Sequence, residues 1–263
     1  MKGGRLLNDL PNVLTPKQLA EMEAPIRPGI TLPWSLEELA EQYHERVDWP
    51  GSAYPLPAWL TSGEQGALLW EASRRDAPHG HIIEIGAGWA ASSFILTRGN
   101  EWRAKNSDRK GEHVFLFDPW GGKLDLHRQS TLYLAITGSE ETAHHIRGTS
   151  VLLEAGLIPD ASVRLAFIDG DHSLEWAQRD LLAVARTMVD GGVVLLHDCN
   201  QGGPGTVWRE AIEAKAVHAG GVRLVPQAGL FNTIGLFRVE RDRAYGKGTP
   251  CQIESETPFV LSS

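Results

Sequence analysis

Two cysteines in 263 residues, Cys199 and Cys251, are too few for a disulfide framework. The N-terminal MKGGRLLNDLPN has no apolar stretch of the kind a secretory signal needs, and no run in the chain reaches membrane-spanning length. These absences point to a reducing compartment, with the cytoplasm as the expected location and no membrane partner. Basic residues are also in the minority. Lys and Arg number 25 against 33 Asp and Glu, a net charge of −8, whereas proteins that hold a nucleic-acid backbone usually carry a basic face. The expected partner is therefore a small molecule and not a nucleic acid. With 42% hydrophobic and 22% charged residues, the chain can bury one sizeable core.

Residues 1–60 are rich in Pro and Trp, and 16–24 and 35–47 read as short amphipathic helices. This part is expected to be a helical and loop extension serving as a lid or as the arm of a homodimer. From residue 61 to 263 the expectation is one domain. Ser62 can cap a helix running to about Asp76, with Leu68, Leu69 and Ala72 facing a core. Strands are expected at His81–Ile85, 114–117, Val163–Ile168 and 193–197, each a short run without polar alternation, as buried parallel strands show. Between the last two, 173–189 carries a helical stripe of Leu174, Ala177, Leu181, Val184 and Met188, with Gly191 and Gly192 as its stop. Residues 223–225 and 233–239 suit an antiparallel pair. The polar stretch 100–113 reads as an exposed loop. Strand and helix in alternation predict an α/β fold with a doubly wound, Rossmann-like sheet of seven strands.

EIGAGWAASS, from Glu84 to Ser93, falls where the first strand turns into a helix. Its glycines permit a tight turn and close approach of the backbone to a ligand. Gly86, Gly88 and Ala91 also satisfy a dinucleotide spacing, so the turn alone does not separate a nicotinamide cofactor from S-adenosylmethionine. A tight turn that binds nothing is the plainer alternative. Glu84 beside the glycines opposes a pyrophosphate and suits a cationic amino-acid end. Asp118, at the end of the second strand, can accept from both hydroxyls of a ribose, or can simply start the turn at Pro119. Trp120 can flank an adenine or belong to the core.

DPWGG from Asp118, GTS from Gly148 to Ser150, IDGDHS from Ile168 and GGVVLLHDC from Gly191 follow in order. With them the chain resembles class I S-adenosylmethionine-dependent methyltransferases, and most closely the branch that methylates sugar and other small-molecule oxygens. The resemblance implies that Glu84, Gly86, Gly88 and Ser93, with Ala87 in the same turn, hold the methionine end, Asp118 the ribose, and Ser150 with Asp171 or its neighbours, Asp169 among them, the adenine side. Ala90 departs from the third glycine that many members carry.

Asp169 and Asp198 each follow an apolar strand, and both strand ends open onto one crevice in such a fold. Two carboxylates there suit Mg²⁺, which would polarise and orient an acceptor hydroxyl, or else they hold loop backbone. The third-ligand position of the resembling metal-dependent enzymes is here Cys199, a poor ligand for Mg²⁺, with Asn200 next in line. His172, three residues after Asp169, is the expected catalytic base, with Asp171 near it; its alternative is a helix cap. His197 is expected to point away from the site. Pocket walls are expected from the N-terminal segment and from 124–139; tryptophans such as Trp34, Trp59, Trp89 and Trp208 can face an aromatic or sugar acceptor, or belong to the core or an interface. The competing expectations are a nicotinamide-dependent oxidoreductase and a non-catalytic adenosine-binding protein.

Overall fold

A computed structural model describes residues 46–47, 56–57, 63–75, 78–88, 90–108, 111–119, 142–227 and 229–242. The expected N-terminal helix 16–24, Trp34, Trp59, Trp89, Trp120, Cys251 and the wall segment 124–139 lie outside them. Arg46–Val47 and Leu56–Pro57 pair antiparallel in a small ribbon, so the second expected helix, 35–47, does not hold to its end.

Eight strands form the main sheet: β1 (His81–Ile85), β2 (Val114–Asp118), β3 (Ala143–Arg147), β4 (Val163–Ile168), β5 (Met188–Leu196), β6 (Val217–Ala219), β7 (Val222–Pro226) and β8 (Gly235–Arg241). Their spatial order is β3-β2-β1-β4-β5-β8-β7-β6. The first five are parallel, and β8, β7 and β6 pair antiparallel beyond them. The expected doubly wound class is therefore present with one strand more than seven. Helices α1 (Gly63–Arg74) and α2 (Ala91–Asn106) cover one face; α4 (Leu174–Thr187) and α5 (Gly202–Ala214) cover the other, with α3 (Val151–Glu154) a single turn after β3.

Alternation within each strand supplies both cores. Ile82, Leu116, Leu165, Phe167 and Leu195 face Leu68, Trp70, Ile95 and Leu96, while Ile83, Ile85, Ala166, Ile168 and Leu196 face Ala177, Leu181, Val184 and Val207. Burying each large aliphatic side chain is worth about 1.5–3 kcal/mol, so these two layers hold the sheet together. Trp208 belongs to the second core, edge-to-face with Phe237 at 5.1 Å, so it is not a pocket wall.

Three sequence expectations change. Helix α4 stops at Thr187 and β5 begins at Met188; Gly191, with φ 76°, sits in the register shift of β5 against β4 rather than at a helix stop. Residues 100–106 continue α2, and Asn100, Arg103 and Glu112 of the supposed exposed loop are buried. They meet Arg164 from β4. Glu112 Oε2 accepts from Arg103 Nη1 (2.6 Å) and Arg164 Nε (3.2 Å), and Arg164 Nη2 donates to Ser73 O (2.7 Å) and Asn100 Oδ1 (2.9 Å). A buried charge persists only when paired and hydrogen-bonded, and this cluster ties α1, α2 and β4 together at the N-terminal edge of the parallel strands.

Candidate active site

The strand order reverses between β1 and β4, and in open α/β sheets the crevice outside the carboxyl ends at that point is where ligands bind. The turn after β1 comes unusually close to β4 there. A Cβ built on Gly86, whose φ is 87°, would lie 1.9 Å from the Asp169 carbonyl oxygen, so only glycine fits. Gly88 N donates to Asp118 Oδ2 at 2.9 Å, which puts the β2 carboxylate against the glycine turn. Ala90 occupies the left-handed region, φ 68°, at the N-cap of α2. The turn thus keeps a glycine-like conformation without the third glycine.

Glu84 is fully buried beneath this turn. Burial pushes its carboxyl up to about 8, against the lowering effect of Ser92 and Ser93. The Ser93 hydroxyl donates to Oε2, and Oε1 has no closed hydrogen bond. An orphaned buried oxygen asks for a donor, and the ammonium of an amino-acid moiety is one such group. Ser150, ahead of α3, is also fully buried, and its hydroxyl does not cap that helix. Asp171 is exposed; its Oδ1 accepts from Ser173 N at 2.8 Å. Ser173, not His172, caps α4, accepting from Trp176 N. One oxygen of the Asp171 carboxylate is thus engaged by the turn that starts α4, and the His172 charge helps hold its pKa low, after the Ser173 hydrogen bonds.

Asp169, His172 and Asp198 converge, one ligand atom of each lying within 4.8 Å of the others. His172 Nε2 is 3.3 Å from Asp198 Oδ2 and 3.9 Å from Asp169 Oδ1, with the ring about half exposed. Its backbone is pinned from α5, where Gly203 N donates to His172 O at 2.9 Å. The Asp169 carboxylate raises the His172 pKa against burial, and the Asp198 charge adds to the rise. Under the same two oxygens lies His197, buried, its Nδ1 3.0 Å from Asp169 Oδ1 and 3.5 Å from Asp198 Oδ2. Burial opposes a charge on His197, yet the bonds to Asp169 and Asp198 outweigh it and raise the pKa to about 9. Both aspartates are held low: at Asp169 the His172 and His197 bonds overcome burial, and at Asp198 the His197 bond leads.

The expectation that His197 points away is thus corrected. Strand alternation would send consecutive side chains to opposite faces, but Asp198 leaves the strand in the left-handed region, φ 51°, and its side chain turns back to the side of His197. Cys199 faces the core, Sγ donating to Leu196 O at 3.1 Å, and burial pushes its thiol up to about 12. Asn200 is exposed. Among the described residues the third donor is His172, which gives two carboxylate oxygens and one imidazole nitrogen. That set fits a divalent cation of borderline character better than the all-oxygen shell Mg²⁺ prefers.

Residues 83–199 match the family model of a methyltransferase domain. No curated protein matches the sequence. Among solved structures, cofactor-bound Rv0187 from MTB superposes with TM-score 0.52 and 17% identity, over 78% of this chain and 86% of that one. The O-methyltransferase TomG from Streptomyces achromogenes, involved in tomaymycin synthesis and solved with S-adenosylmethionine, gives 0.51 and 18%, over 81% and 92%. A protein from Corynebacterium glutamicum gives 0.50 and 16%, over 80% and 92%. At such identities the superpositions establish the fold.

Proposed function

We propose that this chain, a class I S-adenosylmethionine-dependent methyltransferase, methylates an oxygen, and less readily a nitrogen, of a small molecule such as a sugar or natural-product scaffold. The observation that carries the reading is the convergence of His172 on Asp169 and Asp198 at the mouth of the crevice floored by the glycine turn. TomG, an O-methyltransferase of similar fold, supports oxygen as the acceptor atom.

S-adenosylmethionine supplies an electrophilic methyl carbon on a sulfonium. Gly86, Ala87 and Gly88 would line its place, Glu84 and Ser93 would hold its amino-acid end, and Asp118 would accept from its ribose. The Asp118 carboxylate at Gly88 N would repel a pyrophosphate, which disfavours the nicotinamide reading. His172, with Nε2 directed at Asp198 Oδ2, keeps Nδ1 to take the acceptor's hydroxyl proton as its oxygen attacks. Asp169 and Asp198 stabilise the imidazolium that results. Most of the rate gain comes from holding nucleophile and methyl carbon in line, because deprotonation is the only acid–base help the displacement needs.

A second reading, favoured by the same three-residue group, places a divalent cation on Asp169, Asp198 and His172, where it would lower the pKa of the acceptor hydroxyl. His172 is then a ligand and not a base. The N-terminal extension before residue 61 is proposed as a lid or dimer arm, and the acceptor as a small molecule in preference to a nucleic acid.

Calorimetric titration of the full chain with S-adenosylmethionine, S-adenosylhomocysteine and NAD, followed by acceptor screening, tests the first reading. Binding of the adenosyl ligands together with turnover that falls in His172→Ala supports it; binding of NAD alone overturns it, and cofactor binding without turnover of any acceptor favours a binding protein. For the second reading, Mn²⁺ should bind at least about tenfold tighter than Mg²⁺, with the margin lost in His172→Ala. Equal affinities would remove His172 from the ligand set.

A further inference from the structure

One imidazole of the site is buried with a single nitrogen engaged. His197 is 3% exposed, and its Nδ1 meets Asp169 Oδ1 at 3.0 Å and Asp198 Oδ2 at 3.5 Å. Among the described residues its Nε2 has no closed hydrogen bond. A carboxylate at neutral pH only accepts, so the proton of the contact sits on Nδ1 whether the ring is neutral or charged. A buried ring with one nitrogen unpaired is costly, and stability alone would favour an apolar side chain at this strand end. The engaged nitrogen is therefore the one with a use.

The sheet fixes where that N–H points. His197 N donates to Ile168 O at 2.9 Å, which continues the ladder between β5 and β4, and the ring stands edge-to-face with Phe167 at 6.0 Å. The backbones that carry the two carboxylates are tied as well: Asp169 N donates to Ile85 O, and Cys199 N, next after Asp198, to Thr233 O, both at 2.8 Å. The ring of His172 is about half exposed, and its Nε2 meets the same two oxygens, Asp198 Oδ2 at 3.3 Å and Asp169 Oδ1 at 3.9 Å. Two carboxylate oxygens thus bridge a buried imidazole fixed by the sheet and an exposed one. Consecutive strand side chains diverge, so both oxygens reach one donor only because Asp198 takes φ 51°.

We propose that His197 is a positioning residue for the transfer: its Nδ1–H holds Asp169 Oδ1 and Asp198 Oδ2 together, and those oxygens orient His172 with Nε2 protonated and Nδ1 free for the acceptor's proton. This rests on the reading above that His172 is the base. Carboxylates of like charge repel at such a separation, and without the donor between them they spread and leave the His172 ring to turn. A base displaced by about 1 Å loses about 10²-fold in rate. His197 gives up no proton in the reaction; it acts through the two carboxylates.

The test is NMR of the full chain labelled with nitrogen-15 histidine, at a pH above the His172 transition, on wild type, His197→Asn and His197→Gln. The amide nitrogen of asparagine comes close to the place of Nδ1, and that of glutamine to the place of Nε2. Wild type should show His197 protonated at Nδ1 and His172 at Nε2 alone. His197→Asn should keep that His172 signature, and His197→Gln should mix the two His172 tautomers. With an acceptor found by screening, kcat at saturating cofactor should fall about 10–100-fold in His197→Gln and less than about threefold in His197→Asn. S-adenosylhomocysteine affinity should stay within about threefold of wild type in both. A merely structural His197 would lower Tm in both variants and leave the His172 tautomer, and kcat per cofactor-binding protein, as in wild type. A bare His197 Nδ1 in wild type, which needs no variant to fold, or a His172 signature common to all three proteins overturns the proposal. So does a His172 tautomer that responds while kcat does not, since the base role then fails. Wild type that binds no adenosyl ligand while the His172 signature responds as expected overturns the methyltransferase reading and leaves the positioning contact standing.

Discussion

The two edges of the parallel strands each gather charged side chains, and they do so in opposite ways. At the N-terminal edge, Arg103, Glu112 and Arg164 are buried, opposite in sign and hydrogen-bonded to each other and to Ser73 O and Asn100. At the C-terminal edge, Asp169 and Asp198 are like in sign and close, and what joins them is two imidazoles, one buried and one half-exposed. Paired opposite charge without access to solvent holds elements together. Convergent like charge with an open side is an arrangement that stability alone does not call for, and it is held ready for a proton, a cation or a substrate. The two histidine contacts stabilise it only over part of the pH range.

The hardest test of this contrast is at the closed edge. Glu112→Ala leaves Arg103 and Arg164 buried without their carboxylate, and breaking such a pair costs about 3–5 kcal/mol. For a chain of this size that corresponds to a fall in Tm of about 10 °C or more, read by calorimetry or circular dichroism. A fall under about 3 °C would mean that the cluster is relaxed and wet. The open edge should respond in the other currency. His172→Gln should lower turnover by about 10²–10⁴-fold while Tm moves by no more than about 2 °C. Unchanged turnover would withdraw the base role.

A subtler expectation separates the edges by pH. His172 and His197 have raised pKa values, so their stabilisation is complete below the unfolded value of 6.5 and is lost as pH rises, through about 9 for His197. Asp169 and Asp198 are depressed, so theirs is present above 3.8 and is lost as pH falls. The open edge is therefore most stabilising between those two unfolded values. Turnover needs neutral His172 and should rise with pH through a pKa above 6.5; in Asp198→Asn that limb should move to lower pH, because the charge that retains the proton is gone. A limb that stays where it was in the variant would detach Asp198 from His172.

The open edge was largely legible in the sequence, and the closed edge was not. Strand-terminal Asp169 and Asp198, and His172 after the first of them, can be found from local runs, because each aspartate closes a mostly apolar strand, β4 for Asp169 and β5 for Asp198. His197 was misjudged since alternation holds only inside a strand, and Asp198 with φ 51° has already left it. Arg103 and Glu112 look solvated in any window around them; their partner Arg164 is 52 residues beyond Glu112, and no local pattern carries that pairing. Strand β3, with two histidines in AHHIR, lacks the apolar run that marks its neighbours.

The smallest effect is expected at Ala90, where the ligand edge departs from a glycine. An L residue in the left-handed region costs roughly 1–2 kcal/mol, which Ala90→Gly would release. The same change removes a fully buried methyl packed with Ile95 and Leu96, worth about 0.8 kcal/mol, and adds unfolded-chain freedom worth about 0.4–1 kcal/mol. The opposing contributions nearly cancel, so Tm should shift by no more than about 2 °C. That balance is why alanine serves here while Gly86, whose Cβ would meet the Asp169 carbonyl, has no such alternative. A rise of more than about 4 °C in Ala90→Gly would show that the turn stores strain the core does not offset, and a fall as large would make the methyl the reason for the substitution.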